Sequence, residues 1–411
     1  MTKRVDIVFT GSLNQIIGPM GTIKRIIKNQ EYFNSRGYKV SVFTNDSIPG
    51  SSFGVPTTSS YKKSTLKGKV KSLYKRMLKH SYLLDIFDME RTERPAIQLA
   101  NYYLSLNRDV DIVQFHSGRE CQQFLFNRKN KASKTILFQH SDGLPFEMSY
   151  SYYPKLRGSC YIKKRLKKYE RMIDECTQLA FIANKGKQNF IKAYPSIPSD
   201  KISLILNGID ELTVEAKNEI ETLRQTNEQF PYRLCSVGTI NGRKGQRLII
   251  EALNKVNEDV RKKIHVSIVG EGQERTDLEE LTKTYHLTDN IDFEGAVPNE
   301  LVYKNLARSN IFILMSYNEG MPISIIEAMR NGLPIISTRI AGIPELVRED
   351  YNGKLLDPNA DQLADLLNKI DNYDWKEMGC HSRSRFEKEF TFERMEKEFC
   401  DMYDQIMSKA E

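Results

Sequence analysis

Short apolar runs alternate with stretches of helical periodicity along the whole chain. The runs are rich in branched side chains, a pattern typical of strands buried on both faces of a parallel sheet. Between them, apolar residues recur at the spacing of a helix face. The predicted strands are Val5–Phe9, Val40–Thr44, Asp111–His116, Thr135–His140, Leu179–Ala183, Lys201–Leu206, Arg233–Val237, Ile264–Val269, Ile291–Glu294, Ile311–Met315 and Pro334–Thr338. This alternation predicts an α/β fold of doubly wound parallel sheets.

The length of the chain predicts more than one domain. A chain of 411 residues is too long for one ordinary core, and two domains of roughly 200 residues are expected. The Asn207-Gly208 dipeptide is a strong turn signal between two strand–helix series. We therefore predict an N-terminal Rossmann-like domain over 1–206, a C-terminal one over 207–385, and an aromatic-rich C-terminal helix in 386–411 that packs on the first domain.

Composition narrows the class of protein. The hydrophobic content of 40% and charged content of 28% are typical of a globular protein. No apolar run approaches the ~20 residues of a membrane-spanning helix, and the first apolar stretch is too short for a signal peptide. The six cysteines are scattered without a Cys-x-x-Cys pair, which argues against a zinc site or a disulfide framework. A reducing, cytoplasmic location is expected.

The net charge of +8 is divided unevenly. Residues 1–205 have a net charge near +19 and the remainder a net charge near −11. Two basic stretches, Lys62–Lys79 and Lys155–Lys168, account for much of the excess. Such runs are usually solvated faces, but two of them also suit an anionic membrane surface, where each basic residue contributes about 1 kcal/mol. They lead to the hypothesis of peripheral attachment to the inner face of the membrane, or of an anionic acceptor.

The segment Asn318–Met329 is the most informative part of the chain. It follows the apolar strand Ile311–Met315, and Pro322 suits the first position of a helix. Glu319 precedes that helix and Glu327 lies on its second turn. A helix N-terminus suits a phosphate group, and a carboxylate on either side suits sugar hydroxyls. The segment predicts a nucleotide-sugar site.

A second candidate loop, Gly238–Gly245, follows the first strand of the second half. Its glycines let a backbone come close to phosphate, and Arg243 and Lys244 supply cations. An ordinary surface turn is the alternative. Both loops follow strands, however, and open α/β sheets bind ligands at the carboxyl ends of their strands. Two loops of this kind at one sheet edge favour a common site.

These segments resemble the retaining glycosyltransferases of family 4. That family has the GT-B architecture, in which two Rossmann-like doubly wound domains face each other across a cleft. The pair Glu319 and Glu327 matches its Glu-x7-Glu hallmark, and Asn207–Asp210, Gly238–Gly245 and Gly342–Val347 look like its recurring segments in the same order. The resemblance is close over the second half of the chain.

In the first half the resemblance is looser. It rests on Gly18-Pro19-Met20-Gly21 in a loop predicted over Gly11–Gly21, on His140, and on the order of the strands. His116 ends a comparable strand, and there a structural role is favoured.

The resemblance implies roles for individual residues. Arg243 and Lys244 would bind the diphosphate, although Thr239 stands where many members carry a further arginine. The other implied roles are Glu319 for the transferred sugar, Glu327 for the ribose hydroxyls, His140 for the sugar from the N-terminal domain, Val297 for the base through its backbone, and Gly18, Gly21, Gly238, Gly320, Met321 and Ile323 for the donor.

The expected chemistry follows from these residue types. Cleavage of a sugar–diphosphate bond builds negative charge on the leaving phosphate, which fixed cations and helix N–H groups stabilise. Members of the family are described as retaining, with the leaving phosphate helping to deprotonate the acceptor, so Arg243 and Lys244 would replace a metal. The chain contains Asp109-Val110-Asp111, the spacing of a metal site in another glycosyltransferase fold, but these residues read as a turn before a strand.

Other functions remain as alternatives. A sugar-nucleotide epimerase or a phosphorylase has the same architecture, although the latter requires a longer chain with a cofactor lysine. A nicotinamide-dependent oxidoreductase requires a Gly-x-Gly-x-x-Gly turn and a following acid that the first loop lacks. No nucleic-acid recognition motif is present. The favoured reading is transfer of a hexose or N-acetylhexosamine from a nucleotide diphosphate sugar, with UDP preferred, to a glycan or lipid-linked acceptor in bacterial surface polysaccharide assembly, with no cofactor.

Overall fold

The computed structural model describes residues 2–13, 20–50, 81–140, 143–150, 153–224 and 230–408. Gly18 and the basic stretch Lys62–Lys79 lie outside the described residues. The chain divides into two compact units. The first comprises 1–182, 186–205 and 398–411, and the second comprises 183–185 and 206–397.

The first unit contains a six-stranded sheet in which every neighbouring pair is parallel. Its strands are β1 (Lys3–Val8), β2 (Tyr38–Phe43), β3 (Ile112–Phe115), β4 (Lys134–Gln139), β5 (Gln178–Phe181) and β6 (Ile202–Leu204). The strand order is β2-β1-β3-β4-β5-β6. The winding therefore reverses between β1 and β3, and this switch point opens a crevice at the carboxyl ends of the two strands.

Helices connect these strands, as the right-handed crossovers of a parallel sheet require. They are α1 (Met20–Lys28), α2 (Gln30–Ser35), α3 (Tyr82–Ser105), α4 (Gly118–Asn127), α5 (Glu147–Tyr150), α6 (Cys160–Glu175) and α7 (Asn184–Ala193). β3 and β5 are buried along their whole length. Their apolar side chains form one core cluster with the inner faces of α3, α4 and α6.

The second unit repeats this architecture with another six-stranded parallel sheet. Its strands are β7 (Tyr232–Val237), β8 (Ile264–Val269), β9 (Ile291–Gly295), β10 (Ile311–Leu314), β11 (Ile335–Thr338) and β12 (Gly353–Leu356). The strand order is β12-β11-β10-β7-β8-β9. Here the winding reverses between β7 and β10, the two strands that precede the glycine-rich loop and the Glu-x7-Glu segment.

The second unit is also covered by helices. They are α8 (Val214–Arg224), α9 (Gln246–Lys255), α10 (Glu258–Arg261), α11 (Arg275–Thr284), α12 (Val302–Ala307), α13 (Ile323–Arg330), α14 (Ile343–Leu346), α15 (Ala360–Leu367) and α16 (Trp375–Glu389). Short 3-10 turns occur at Asn45–Ser47, Pro154–Leu156, Ser199–Lys201, Asn299–Leu301 and Ile370–Asn372.

The last helix, α17 (Phe392–Ser408), begins in residues of the second unit and ends in residues of the first. Its later turns contribute aromatic side chains to the first unit. The ring of Phe399 lies 5.1 Å from that of Phe138 on β4, and the ring of Tyr403 lies 5.2 Å from that of Tyr38 on β2. Residues from the far end of the chain therefore complete the core of the first unit.

The predicted α/β class and its doubly wound parallel sheets are confirmed, and each predicted strand has its counterpart. The sequence patterns do not reveal β12, whose four residues carry little hydrophobic signal, or the long helix α3. Two details of the prediction from the sequence are wrong. Gly21 lies inside α1 and not in a loop, and Pro322 occupies the position before α13, with ψ 119°, and not its first turn.

Candidate donor site

The glycine-rich loop lies against the end of β10. Gly245 has a φ of 69°, and a Cβ atom there would lie 1.9 Å from the carbonyl oxygen of Met315. A glycine is therefore required for this close approach. The Tyr317 N–H donates to the Arg243 carbonyl at 2.8 Å, which joins the two loops. The predicted adjacency of the loops is thus built from backbone contacts.

Three charged side chains meet where the two loops join. The ammonium of Lys244 lies 2.7 Å from Oε1 of Glu319, and Nη1 of Arg243 lies 3.2 Å from Oε2. The side chain of Glu319 is 7% exposed and that of Lys244 is 12% exposed. The Ser316 hydroxyl also donates to Oε1 of Glu319, at 2.9 Å. We call Arg243, Lys244 and Glu319 the charged cluster.

The charged cluster has one more cation than it has carboxylates. Because it is largely removed from water, its electrostatic interactions are stronger than they would be on a solvated surface. Arg243 is partly fixed by a second bond, from Nη1 to the Asn318 carbonyl at 2.8 Å. Two positioned cations with one carboxylate between them form a site with residual affinity for an anion. The sequence places all three residues correctly by loop, but their direct pairing emerges only from the structure.

The rest of the Glu-x7-Glu segment is anchored on both sides. The Gly342 N–H, in the loop after β11, donates to the Gly320 carbonyl at 3.0 Å, and a Cβ at Gly342 would lie 2.3 Å from that oxygen. The Asn207 amide donates to the Met321 carbonyl at 3.2 Å. Thus Asn207 and Gly342, each in a segment that resembles the family, hold the backbone beside Glu319.

The remaining predicted donor residues of the second unit lie at the same sheet edge. Ile323 begins α13, and Glu327, half-buried, lies one turn further along that helix. Gly238 follows β7, where its N–H donates to the Val269 carbonyl at 3.0 Å. Val297 follows β9, which is an edge strand of the sheet. Their predicted roles toward ribose, phosphate and base stay predictions.

His140 lies in the first unit, directly after β4. Its Nε2 is 2.8 Å from Nδ1 of His116, which directly follows β3, and the two rings are stacked. Burial lowers the pKa of His140 to about 4. Burial and the neighbouring His140 lower the pKa of His116 well below its usual range. Both imidazoles are therefore neutral at pH 7.

Asp109 and Asp111 are engaged by Arg4 at the other edge of the first sheet. The Arg4 backbone N–H donates to Oδ2 of Asp111 at 2.6 Å, and its guanidinium lies 2.6 Å from Oδ2 of Asp109. Both carboxylates precede β3, at the amino end of that strand. Their interpretation as a turn before a strand is confirmed.

The basic stretch Lys155–Lys168 forms a solvated basic face, most of it on α6. The residues of this stretch that lie in α6 alternate between buried and exposed positions, and the exposed lysines are Lys155, Lys163, Lys164, Lys167 and Lys168. Arg165 differs, since its guanidinium pairs with Glu93 at 2.6 Å. Among the residues that the structure describes, no helix combines the length and apolar character needed to cross a membrane.

A hollow of about 950 Å³ lies at the opposite edge of the second sheet, where β7, β10 and β11 begin. Four arginines line it, but each donates to a backbone carbonyl: Arg224 to Asn331, Arg233 to Arg308, Arg330 to Asp210, and Arg383 to Arg330. These guanidinium groups satisfy the ends of helices and loops. The hollow is remote from both predicted loops, and its lining serves the packing of the unit.

Known glycosyltransferases resemble parts of this chain. The model of the family "Glycosyl transferases group 1" matches residues 224–384. A putative colanic acid biosynthesis glycosyltransferase of Escherichia coli is 30% identical over 215 residues, which are 50% of this chain and 51% of that protein. The N-acetyl-alpha-D-glucosaminyl L-malate synthase of Bacillus anthracis is 28% identical over 217 residues, 51% of this chain and 55% of that protein. The chain thus spans about half the length of these curated relatives.

Solved structures extend the likeness to the whole chain at the level of the fold. The structure of Anabaena HepE in complex with UDP covers 98% of this chain and 99% of its own, with a TM-score of 0.66 and 14% sequence identity. The predicted GT-B fold is therefore confirmed. The match to the model of the group 1 glycosyl transferases lies within the unit that contains the charged cluster.

Proposed function

We propose that this protein is a retaining glycosyltransferase that moves a hexose or N-acetylhexosamine from a nucleotide diphosphate sugar to a glycan or lipid-linked acceptor. The charged cluster is the observation that carries the proposal. It lies at the switch point between β7 and β10, where doubly wound sheets bind nucleotides. Its surplus of positive charge suits a diphosphate, and its carboxylate suits sugar hydroxyls.

A UDP-sugar is the proposed donor, and bacterial surface polysaccharide assembly the proposed process. The names of the relatives support both parts. One relative is a putative colanic acid biosynthesis enzyme, another is an N-acetylglucosaminyl malate synthase, and the similar fold of HepE was solved with UDP. Glu327 is proposed to hold the ribose, the backbone at Val297 the base, and His140 the transferred sugar.

The proposed chemistry depends on charge that is in place before the substrate binds. As the sugar–phosphate bond breaks, Arg243 and Lys244 stabilise the negative charge on the departing β-phosphate. The departing phosphate takes the proton of the acceptor hydroxyl on the same face of the sugar, so the anomeric configuration is retained. Glu319 orients Lys244 and binds the sugar. We propose that no metal is required, because these two cations neutralise the diphosphate.

Thermal shift with a panel of nucleotides tests the donor site. We expect UDP and one UDP-sugar to raise the melting temperature, with no effect of EDTA. A shift with NAD alone, or with no nucleotide, would contradict the proposal. Conversion of the UDP-sugar without any acceptor would indicate an epimerase, and loss of the shift in EDTA would contradict metal independence.

Two substitutions test the assigned residues. Lys244→Ala and Glu327→Ala are each expected to lower turnover at least about 100-fold, the effect of losing one preorganised polar group. Lys262→Ala is the matched control, because its side chain is 66% exposed and its ion-pair partners among the described residues are the nearby Glu258 and Asp259. Activity at the level of this control in either variant would remove that residue from the site.

We also propose that the basic face of α6 attaches the protein to anionic membrane, on the cytoplasmic side. Four exposed lysines of α6, with the exposed Lys155 shortly before the helix, support this part of the proposal. Flotation with liposomes rich in phosphatidylglycerol should recover the wild type and lose the K163E/K164E/K167E/K168E variant. The control variant K129E/K131E reverses two exposed lysines elsewhere in the first unit. Equal flotation of both variants would sink the proposal.

A further inference from the structure

Four side chains form a continuous hydrogen-bonded chain inside the first unit. The oxygen of Tyr403 lies 2.8 Å from Oε1 of Gln114, and Nε2 of Gln114 lies 2.8 Å from Nε2 of His116. Nδ1 of His116 then lies 2.8 Å from Nε2 of His140. Tyr403 and Gln114 are fully buried and His116 is 5% exposed. These hydrogen bonds thus connect the C-terminal helix α17, through β3, to the residue that follows β4.

The phenol of Tyr403 determines the direction of these bonds. Burial raises its pKa well above the usual value, so the phenol keeps its proton. Within the described residues, the Gln114 side chain is the hydrogen-bond partner of that hydroxyl. If the amide of Gln114 were reversed, its NH₂ would donate to the phenol and the phenolic proton would lack an acceptor, at a cost of about 1–3 kcal/mol. Tyr403 therefore donates and Oε1 of Gln114 accepts.

The protons of both histidines follow from that direction. The amide nitrogen of Gln114 has only hydrogens to offer, so Nε2 of His116 must accept. A neutral His116 then carries its proton on Nδ1 and donates it to Nε2 of His140. His140 accepts on Nε2, and as a neutral ring it must carry its own proton on Nδ1.

We propose that Tyr403, Gln114 and His116 are positioning residues that hold His140 as the Nδ1–H tautomer, a hydrogen-bond donor at Nδ1. The use of that donor, to an oxygen of the transferred sugar, rests on the proposed function. The tautomer itself does not. Stacking of His140 on His116, with ring centroids 5.1 Å apart, fixes the ring plane in which the donor points.

Nitrogen NMR of the full chain labelled with ¹⁵N-histidine tests the tautomer directly. With six histidines in the chain, His116→Gln and His140→Asn assign the two signals. At pH 7 we expect both rings to be neutral, with the proton on Nδ1. A proton on Nε2 of His140 in the wild type would overturn the inference, whether or not the enzyme is active.

Tyr403→Phe tests whether the phenol of Tyr403 sets the direction of these hydrogen bonds. Without the phenol the amide of Gln114 is free to reverse, so His140 should become a mixture of tautomers. We expect kcat to fall about 3- to 10-fold with KM for the donor little changed. Tyr38→Phe is the matched control, because this neighbouring phenol donates to Asp404 and lies outside the chain of four. A pure Nδ1–H signal in Tyr403→Phe would show that Tyr403 does not set the direction of these bonds.

The two levels of the proposal fail separately. If the spectra are as expected but His140→Asn has full activity, His140 is not part of the proposed reaction, while the assigned tautomer of His140 stands. If the tautomer differs from expectation but nucleotides raise the melting temperature, the donor site stands and the inferred order of hydrogen bonds is wrong.

Discussion

At the residue scale, the buried charged side chains differ in how fully their charges are paired. Lys244 and Glu319, both largely buried, pair with each other, and the partly exposed Arg243 lies beside them as the surplus cation. Glu120, at the start of α4, is satisfied only in part. The Thr10 N–H donates to its Oε1 at 2.5 Å, while its Oε2 has no hydrogen-bond partner among the described residues. Burial raises the pKa of the Glu120 carboxyl to about 7.

The raised pKa of Glu120 gives a signed prediction about stability. Well below pH 4.5, the ordinary pKa of a glutamate carboxyl, the group is protonated in both the folded and the unfolded state and costs nothing. Between pH 4.5 and 7 the unfolded state loses the proton first, so the folded state loses stability as the pH rises. The expected total is on the order of 3 kcal/mol.

Glu120→Gln should remove that loss. We expect the variant to match the wild type below about pH 4 and to exceed it at pH 8, as measured by urea unfolding at several pH values. The comparison is needed because the depressed pKa values of His116 and His140 act oppositely, lowering stability as the pH falls below 6.5. Glu170→Gln, at an exposed position of α6, is the control. A constant difference between Glu120→Gln and wild type at all pH values would show that Glu120 does not titrate in this range.

At the scale of elements, the site depends on loops that approach one another through glycine. Gly245 and Gly332 both have a positive φ, 69° and 70°. They differ in their surroundings, since a Cβ at Gly245 would meet the Met315 carbonyl at 1.9 Å, whereas one at Gly332 would meet its nearest atoms at 3.8 Å. Comparing alanine substitutions at Gly245 and Gly332 therefore distinguishes the cost of a positive φ from the cost of a collision between two loops.

Gly245→Ala should therefore cost more than Gly332→Ala. We expect about 1 kcal/mol for Gly332→Ala from the positive φ alone, and about 2–5 kcal/mol for Gly245→Ala, where overpacking adds to it. Because Lys244 is the adjacent residue, only Gly245→Ala should also weaken binding of the donor nucleotide. Urea unfolding and calorimetric titration with UDP measure the two effects. Equal costs would mean that the loop relaxes freely.

At the scale of the whole molecule, the end of the chain belongs to the unit that contains its beginning. Phe399 is fully buried, its ring 5.1 Å from that of Phe138 on β4. Arg36, on the loop before β2, lies 2.9 Å from carboxylate oxygens of Asp401 and Asp404. The core of the first unit is thus incomplete without the later turns of α17.

Phe399→Ala should destabilise the first unit by about 3–5 kcal/mol, the usual cost of a phenyl-sized cavity. Scanning calorimetry with and without UDP can identify the unit affected, because the nucleotide is expected to stabilise the second. Leu83→Ala is the control, since this side chain is 72% exposed and its loss should change stability by less than about 0.5 kcal/mol. A wild-type melting profile for Phe399→Ala would contradict the role of α17 in this core.

The sequence by itself determined the α/β class, the succession of strands, and the two loops that carry Lys244 and Glu319. These features are local, because periodicity and turn residues act within a few positions of one another. It also carried the resemblance to a glycosyltransferase family, since Glu319 and Glu327 lie on one short segment. The tertiary structure alone decided which side chains pair. Lys244 and Glu319 are 75 positions apart, and Gln114 and Tyr403 are separated by 289. Such contacts depend on strand order and on the path of α17, which no local pattern encodes.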